Sequence, residues 1–515
     1  MNAFRRILEW PAAANDDLPL ALWSADAIAY ATGGHAAGDF AASGVEIDSR
    51  DVVEGDLFFA LLGESTDGHR FVEAALAKGA AAAVTDRKVA GPHIRVADTT
   101  AALIALGQAA RARCEATIIG VTGSVGKTGV KEAIFAALDR SSKGAAHRSV
   151  KSYNNHVGVP LSLARMPARS RYGIFEMGMN HPGEIAALTR QVRPHIAVIT
   201  TIAPAHIEML GSEEAIADAK GEIFEGLEAA NGEPGGVAII PADSPHYARL
   251  RDKAERHTGT VVSFGRAPHA DVRLLDAVPA AGGGSLVTAE IRDPEGGNRR
   301  LCFTVAEPGD HWVINALAVM AAVHAAGADL GAAGVALAEM SGLAGRGARI
   351  EIAVDGGTAL LIDESYNANP ASMRATLAQL GKTPARRRIA VLGAMKELGV
   401  HGPAFHAALA QPLTEAGIDF AILVGEEMAA LANVLGANVL GAGELGAGEL
   451  GAGELGKAGG DALGKALPFA HCQTPSEARE ALVCFGLERG DAILVKGSNS
   501  VGLGGLVAAL AGKQG

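Results

Sequence analysis

Residues 120–134 of the chain read "GVTGSVGKTGVKEAI". This stretch continues an apolar run, so residues 118–122 are predicted to form a buried strand and residues 131–140 a helix. A glycine-rich loop with a lysine lies between them. The usual phosphate-binding loop has four residues between its first glycine and its Gly-Lys pair, but the first glycine position of that pattern is Val121 here. The spacing alone does not show whether this loop is a damaged copy of the usual phosphate-binding loop or a different form of it.

Strand, loop and helix in this order predict a site for the phosphates of a nucleotide, because backbone N–H groups and the helix N-terminus face the anion. Lys127 is expected at the β- and γ-phosphates and the Thr128 hydroxyl at Mg²⁺. A glycine-rich turn before an ordinary helix is the alternative, and the order of elements disfavours it. By itself the loop predicts nucleotide binding and no reaction. The predicted phosphate-binding residues are Gly123, Ser124, Val125, Gly126, Lys127, Thr128 and Gly129.

Length and composition narrow the class of protein. The chain has 515 residues, enough for about three domains, and its 49% apolar but only 4% aromatic content suits a layered α/β core. A net charge of −12 argues against a nucleic-acid partner. The four cysteines are far apart and form no CxxC pair, which indicates a reducing compartment, so we expect a cytoplasmic protein. We expect neither a signal peptide nor a membrane span, since no run of about 18 apolar residues occurs.

Apolar runs that stop at polar residues alternate with helical stretches, which predicts mostly parallel sheets. We predict three domains, over residues 1–114, 115–341 and 342–515. The repeated Gly-Ala-Gly-Glu-Leu segment, residues 436–460, is expected to be a surface loop.

Ligands bind beyond the carboxyl ends of strands in such sheets, which draws attention to three polar residues. These residues are Glu176, His206 and Lys220. Taken one at a time, Glu176 could equally be a solvated carboxylate, whereas a lone histidine is more often structural and a lone lysine usually lies at the surface.

Several long motifs occur in the order seen in the Mur ligases, and the chain resembles that family over nearly its whole length. "YNANP" and "FEMGMNHPGEI" look most like the member that adds D-alanyl-D-alanine to UDP-N-acetylmuramoyl-tripeptide. The family uses the form Gly-x-x-Gly-Lys-Thr, so the resemblance implies an intact loop that begins at Gly123. The motifs are "GVEIDSRDVVEGDLFFALLGESTDGHRF", "TGSVGKTGVKE", "YNNHVGVPLSL", "FEMGMNHPGEI", "AHIEMLGS", "AKGEIF", "IDESYNANPASM" and "ILVKGSNS".

The resemblance implies an α/β fold of three domains: a small UDP-substrate domain, a central P-loop ATPase-type domain with a parallel sheet, and a C-terminal Rossmann-like domain. It implies an ATP-dependent ligase of peptidoglycan precursor synthesis. ATP would phosphorylate the tripeptide carboxylate, and the amine of D-alanyl-D-alanine would attack the acyl phosphate. We expect two Mg²⁺ ions and a monomer with no nucleic-acid or membrane partner.

The resemblance also implies roles for individual residues. The first Mg²⁺ would be held by Thr128 and Glu176, and the second by His206 and a carbamylated Lys220. The catalytic set would be Lys127, Glu176, His206, Lys220, Asn154 and Asn155. Further nucleotide contacts would come from Asn315, Arg346, Asp363, Tyr366 and Asn369, with Asn367 in the same loop, and the UDP part would be held by Ser49 and Arg50.

The chain departs from the family pattern at several positions. Gly129 stands where a second Thr or Ser is usual, and the other departures are Asp310, Trp312, Ala394, Asn499 and Gly504. We interpret them as drift within a working enzyme. Three alternatives stay open: a Mur-type or folylpolyglutamate-type ligase with another amine, a non-catalytic nucleotide-binding scaffold, and a P-loop kinase or GTPase. The last is disfavoured because it leaves Glu176, His206 and Lys220 unexplained.

Overall fold

The computed structural model describes residues 21–63, 66–204, 207–228, 235–280, 284–292, 297–340, 342–440 (backbone only at 437–440) and 467–512. The chain divides into two compact units. The first holds residues 1–116 and 147–173, and the second holds residues 117–146 and 174–515. In the described part of the chain, no helix is long and apolar enough to cross a membrane.

Most strands are short. In the described residues they are β1 (Trp23–Ser24), β2 (His35–Ala37), β3 (Ala41–Ala42), β4 (Gly44–Glu46), β5 (Asp56–Phe59), β6 (Ala82–Thr85), β7 (His93–Arg95), β8 (Thr117–Thr122), β9 (Ala146–Arg148), β10 (Tyr172–Glu176), β11 (Ile196–Ile199), β12 (Val237–Pro241), β13 (Thr260–Gly265), β14 (Val272–Pro279), β15 (Ser285–Arg292), β16 (Asn298–Val305), β17 (Ala348–Val354), β18 (Gly357–Glu364), β19 (Arg388–Gly393), β20 (Phe420–Val424), β21 (Phe469–Cys472) and β22 (Ala492–Lys496).

Helices separate most of these strands. Over the same residues they are α1 (Ala25–Thr32), α2 (Val72–Ala77), α3 (Thr99–Ala112), α4 (Lys127–Ser142), α5 (Gly158–Ala164), α6 (Glu184–Val192), α7 (Ile207–Leu210), α8 (Glu213–Gly221), α9 (Tyr247–Ala254), α10 (Asp310–Ala325), α11 (Leu330–Glu339), α12 (Pro370–Lys382), α13 (Gly402–Ala407), α14 (Ala410–Glu415), α15 (Ala429–Leu440), α16 (Pro475–Phe485) and α17 (Leu503–Leu510). Short 3₁₀ helices lie at Gly68–Phe71, Glu222–Gly226, Gly399–His401, Glu426–Met428 and Asn499–Val501.

The first unit is built on a five-stranded sheet of order β2-β7-β6-β5-β4. Strands β4 to β7 pair in parallel, and β2 is antiparallel to β7. Helix α3 packs closely on α5 because it carries a glycine at the crossing. A Cβ on Gly107 would lie 2.8 Å from the carbonyl oxygen of Pro160. Strands β4, β5 and β6 form inside "GVEIDSR", "GDLFFALLG" and "AAAVTD", three short stretches whose sequence is typical of strands.

The larger sheet of the second unit places β8 between β11 and β10, in the order β16-β15-β14-β13-β12-β11-β8-β10. The chain leaves this unit at β9 and re-enters it at β10. Strands β8, β11, β12 and β13 pair in parallel, whereas β14, β15 and β16 form an antiparallel extension that the sequence did not predict. Helix α10 packs against this sheet and buries ten of its 16 residues.

A second sheet in the same unit has the order β17-β18-β22-β19-β20-β21, and only β17 is antiparallel to its neighbour. Both faces are covered. Leu377 of α12 and Leu431 of α15 belong to the core on one face, and Leu482 of α16 and Leu506 of α17 to the core on the other. The predicted α/β class with largely parallel sheets is therefore confirmed. The three domain boundaries stay a prediction, and the repeat at 436–460 lies almost wholly outside the described residues.

Candidate active site

The phosphate loop connects β8 to α4, and α4 is longer than predicted. The prediction of residues 131–140 was wrong at both ends, since the helix runs from Lys127 to Ser142. Gly126 is the reason at the first end. It takes a left-handed φ of 86° at the N-cap, and its carbonyl accepts the N–H of Val130 at 2.9 Å, so the helix begins directly after the glycine.

The loop is fixed to the segment that follows the neighbouring strand β11. The Ser124 N–H donates to the Thr201 carbonyl at 2.7 Å, and the Thr200 hydroxyl donates to the Val125 carbonyl at 2.6 Å. A Cβ on Gly123 would lie 2.0 Å from the Thr200 hydroxyl oxygen, so only glycine fits there. Sequence reasoning missed Thr200 and Thr201. Their signal was their place at the carboxyl end of a strand that pairs with β8.

Lys127, Thr128 and Glu176 meet at the carboxyl ends of β8 and β10. The Thr128 hydroxyl donates to Glu176 Oε2 at 2.8 Å, and both residues are buried. The Lys127 ammonium donates to the Gly123 carbonyl at 2.8 Å. Burial lowers the pKa of Lys127, the nearby Glu176 raises it, and Arg346 lowers it. The cation thus lies close to a carboxylate and to an arginine of the second sheet.

Lys220 lies near the end of α8 with 1% of its surface exposed. Burial, and secondly the charge of Lys127, hold its pKa well below the ordinary value. The amine is therefore readily neutral, which a surface lysine is not, and it lies within electrostatic range of Lys127. Its predicted partner His206 lies outside the described residues. Among the residues that are described, no three His, Cys, Asp or Glu side chains group to hold a metal ion.

Glu222, which was not predicted as a site residue, connects the motif "AKGEIF" to the motif "FEMGMNHPGEI" by a hydrogen bond. Its carboxylate accepts the Gly183 N–H at 2.7 Å and the Ala186 N–H at 3.1 Å, at the start of α6. The residue directly follows α8, the helix that carries Lys220. Its position two residues after Lys220 in "AKGEIF" was the available signal.

In the second sheet, Asp363 near the end of β18 is hydrogen-bonded to two neighbouring segments. Asp363 Oδ2 accepts the Gly345 N–H at 2.7 Å, and its Oδ1 accepts the Ser365 hydroxyl at 2.6 Å. The Arg346 guanidinium carbon lies 4.3 Å from the centre of the Tyr366 ring. Asp363 therefore links the segment before β17 to the turn after β18, and the Arg346 guanidinium lies over an aromatic ring.

The same loop is fixed at its far end by two further residues. Asn369 caps α12, accepting the Ser372 N–H at 2.9 Å. Lys496 is buried, and its ammonium donates to the Asn367 carbonyl at 2.9 Å and contacts Glu364 at 3.3 Å. Lys496 belongs to the motif "ILVKGSNS", from which no role was predicted for it.

Asn315 lies on α10 against the phosphate loop. It is 5% exposed, and its Nδ2 lies 2.8 Å from the point that a Cβ on Gly126 would occupy. The amide therefore borders the loop itself.

The predicted substrate residues in the first unit have local partners. The Arg50 guanidinium donates to both oxygens of Asp48, at 2.9 and 2.6 Å, and this pairing lowers the pKa of Asp48 to about 2. The Lys78 ammonium donates to the carbonyls of Ser49 and Arg50 at 3.0 and 2.9 Å. These bonds fix the backbone of the turn and leave the Arg50 side chain 86% exposed.

Asn154 and Asn155 also lie in the first unit, just before α5. Asn155 is exposed, and its side-chain oxygen accepts the Gly158 N–H at 2.9 Å. Asn154 is half-buried. Their roles in a reaction stay a prediction.

A phosphate loop at the carboxyl ends of a parallel sheet, with a second covered α/β sheet in the same unit, defines an α/β protein of the P-loop class. Three family models match the chain: "Mur ligase family, catalytic domain" over residues 41–140, "Mur ligase middle domain" over residues 121–323, and "Mur ligase, glutamate ligase domain" over residues 348–499. Together with the relatives below, they show that the chain belongs to the Mur ligase family.

Individual members of the family are similar to most of this chain. A UDP-N-acetylmuramoyl-tripeptide--D-alanyl-D-alanine ligase from Synechocystis sp. is 35% identical, covering 90% of each chain. The crystal structure of MurF from Acinetobacter baumannii has a TM-score of 0.76 at 28% identity, covering 96% of this chain and 100% of its own. The MurF ligase of Thermotoga maritima, solved in complex with ADP, has the same fold, with a TM-score of 0.68 at 24% identity, covering 91% of this chain and 97% of its own.

Proposed function

We propose that the chain is an ATP-dependent ligase that joins D-alanyl-D-alanine to UDP-N-acetylmuramoyl-tripeptide. The observation that carries the proposal is that Lys127 and the Thr128–Glu176 pair meet at the carboxyl ends of β8 and β10, with the buried Lys220 within electrostatic range of Lys127. The substrates are inferred from the Synechocystis relative, which is similar over 90% of both chains.

The chemistry needs positive charge where anions meet. An oxygen of the tripeptide carboxylate attacks the γ-phosphorus of ATP and ADP leaves, giving an acyl phosphate. The dipeptide amine then attacks the acyl carbon, loses a proton, and expels phosphate with that carboxylate oxygen. Both steps bring negatively charged groups together, so fixed cations lower the barrier. Lys127 supplies one such charge, and Arg346 adds a second, held in place by Tyr366.

The residues fit a hard divalent cation. Thr128 and Glu176 offer two buried oxygen atoms 2.8 Å apart, which is the donor type that Mg²⁺ prefers. Bound there, Mg²⁺ would neutralise phosphate charge. A second ion would be held by His206 and Lys220. The neutral amine of Lys220 attacks CO₂ and loses a proton. The side chain then ends in a carbamate, whose oxygen atoms can bind the metal ion, and no longer in an ammonium group.

The other assignments of the proposal follow the resemblance. Nucleotide contacts are assigned to the loop residues 123–129 and to Asn315, Arg346, Asp363, Tyr366 and Asn369. The UDP part is assigned to Ser49 and Arg50, and contacts to the reacting groups to Asn154 and Asn155. We further propose three domains bounded near residues 114 and 341, a monomer, and a cytoplasmic location.

The test of the proposal is phosphate release by the full chain with ATP, Mg²⁺ and purified UDP-N-acetylmuramoyl-tripeptide, with one candidate amine added at a time. D-alanyl-D-alanine should stimulate release far more than D-glutamate, L-alanine or L-lysine. Equal stimulation by another amine would replace the assigned substrate. Nucleotide binding without an amide product under every condition would establish the scaffold alternative.

A further inference from the structure

Gly129 and Trp312, two of the positions that depart from the family pattern, lie against each other. A Cβ on Gly129 would lie 2.6 Å from Cη2 and 2.9 Å from Cζ2 of the indole. Carbon atoms do not approach so closely, so a side chain at 129 would displace the ring. Glycine is a poor residue for the first turns of a helix, and its presence here therefore has a steric reason.

The contact lies beside the phosphate loop. Trp312 and Asn315 are three residues apart on α10 and therefore share a face of the helix. Asn315 borders Gly126, and Trp312 borders the first turn of α4. The first N–H groups of a helix have no acceptor within it and face an anion bound at its N-terminus. The indole is thus next to the place where a phosphate chain would lie.

The indole ring of Trp312 has a neighbouring aromatic ring and is also partly exposed. Asp310, at the start of α10, forms an ion pair with Arg266. The centre of the His311 ring lies 6.3 Å from that of the indole, with the ring planes at 45°, and burial lowers the pKa of His311, which favours its neutral form. Trp312 itself is only half-buried. The chain therefore presents a partly exposed aromatic ring beside the first turn of α4.

We propose that Trp312 positions the nucleotide: its open indole surface packs against the nucleoside part, and Gly129 leaves the room that the ring needs. The inference rests on the proposed use of ATP. Aromatic stacking uses the π-face that every base has, so it adds affinity without reading the exocyclic groups. Trp312 should therefore strengthen adenine and guanine nucleotide binding equally, and discrimination between them has to come from other residues.

Equilibrium dialysis of ADP and GDP against the full chain with Mg²⁺ tests this role. Trp312→Ala should bind both nucleotides about tenfold more weakly or worse, by the same factor for each. Trp312→Phe keeps a ring and should stay within about threefold of the wild type. Unaltered thermal unfolding of each variant shows that a loss is local.

Intrinsic fluorescence reports on the same contact, because the chain has only three tryptophans. ADP should change the emission of the wild type, and Trp312→Phe should remove that change while still binding ADP in dialysis. A structural role alone would leave the emission insensitive to ADP.

Gly129→Ala supplies the reciprocal test. It should displace the ring and weaken ADP binding in the wild-type background, but should add little to Trp312→Ala, because the clash is then gone. Wild-type affinity in Trp312→Ala, or binding without a change in Trp312 emission, would overturn this inference and leave the proposed function standing. A wild type that binds no ADP would remove both.

Discussion

At the scale of single residues, the candidate active site depends on how burial affects a few polar groups. Thr128 and Glu176 are both buried, and each satisfies the other at 2.8 Å. A buried polar group that loses its partner costs about 1–3 kcal/mol. The pair is therefore under structural as well as chemical constraint, and its substitution should affect both stability and turnover.

Thr128→Ala should lower turnover at least about 100-fold and reduce the free energy of unfolding by about 1–3 kcal/mol, since Glu176 loses its hydroxyl partner. Thr128→Ser keeps the hydroxyl and should keep most of both. Steady-state phosphate release and chemical denaturation measure the two effects. Thr128→Ala with wild-type turnover would remove Thr128 from the proposed site.

Lys220→Ala should abolish turnover, because the proposed carbamate can form only on a lysine amine. Added short carboxylic acids should restore part of the activity, since they bring carboxylate oxygens into the space that the side chain leaves. Lys253, on the adjoining helix α9, gives a matched control, and Lys253→Ala should retain activity. Unchanged turnover in Lys220→Ala would show that no lysine carbamate is needed.

Sequence reasoning found the residues with unusual chemistry and missed those that hold them. Lys127, Thr128 and Glu176 stand out because a glycine loop and strand ends mark their positions. The Thr200 hydroxyl donates a hydrogen bond to a backbone carbonyl, and the Glu222 carboxylate accepts one from a backbone N–H. Both of these backbone groups are far away in the sequence. Such partners depend on which strands are neighbours, and a single sequence does not specify that.

At the scale of elements, the ends of helices decide how the site is held. Helix α4 starts earlier than predicted because Gly126 supplies the left-handed cap, a conformation that periodicity does not report. Helix α6 is capped from outside, by Glu222 at the end of α8. The second cap links the helix bearing Lys220 to the loop after Glu176.

Glu222→Ala should lower the free energy of unfolding by about 1–3 kcal/mol and reduce turnover, because two N–H groups at the start of α6 lose their acceptor. Glu225, on the same 3₁₀ helix, makes partly exposed ion pairs with Arg190 and Lys253. Glu225→Ala should change stability by less than about 1 kcal/mol. Equal effects of the two substitutions in chemical denaturation would contradict the capping role.

Glu307, in the connection between β16 and α10, gives the fold a pH dependence. It is 6% exposed, and burial, with a further contribution from Glu364 against the opposing Arg349, raises its pKa from 4.5 to about 7. A raised carboxyl pKa favours the folded state below 4.5, and that stability is lost as pH rises through about 7. The rise of about 2.5 pKa units between those values corresponds to about 3 kcal/mol.

Glu307→Gln should therefore be more stable than the wild type at pH 8 and equal to it near pH 4.5, in thermal unfolding at both pH values. Glu351→Gln removes an exposed carboxylate on β17 and should show no such pH dependence. A stability difference that is the same at both pH values would mean that Glu307 ionises normally in the folded chain.

At the scale of the whole molecule, alternating strands and helices were enough to predict the α/β class and the parallel sheets. The antiparallel strands β14 to β16 were not predicted, because their alternating residues carry no motif and their pairing is with one another. The grouping of residues 147–173 with the N-terminal unit was not predicted either. It depends on α3 packing against α5, where Gly107 meets Pro160.

The proposed function requires this chain to activate a peptide carboxylate as an acyl phosphate and to transfer the acyl group to D-alanyl-D-alanine. The most direct measurement uses UDP-N-acetylmuramoyl-tripeptide labelled with ¹⁸O in both oxygens of the reacting carboxylate, and follows the label by mass spectrometry. We predict one ¹⁸O atom in each inorganic phosphate released, and one amide product for each phosphate, only when D-alanyl-D-alanine is present. Phosphate that carries no label, or that forms at the same rate without the dipeptide, would contradict the account.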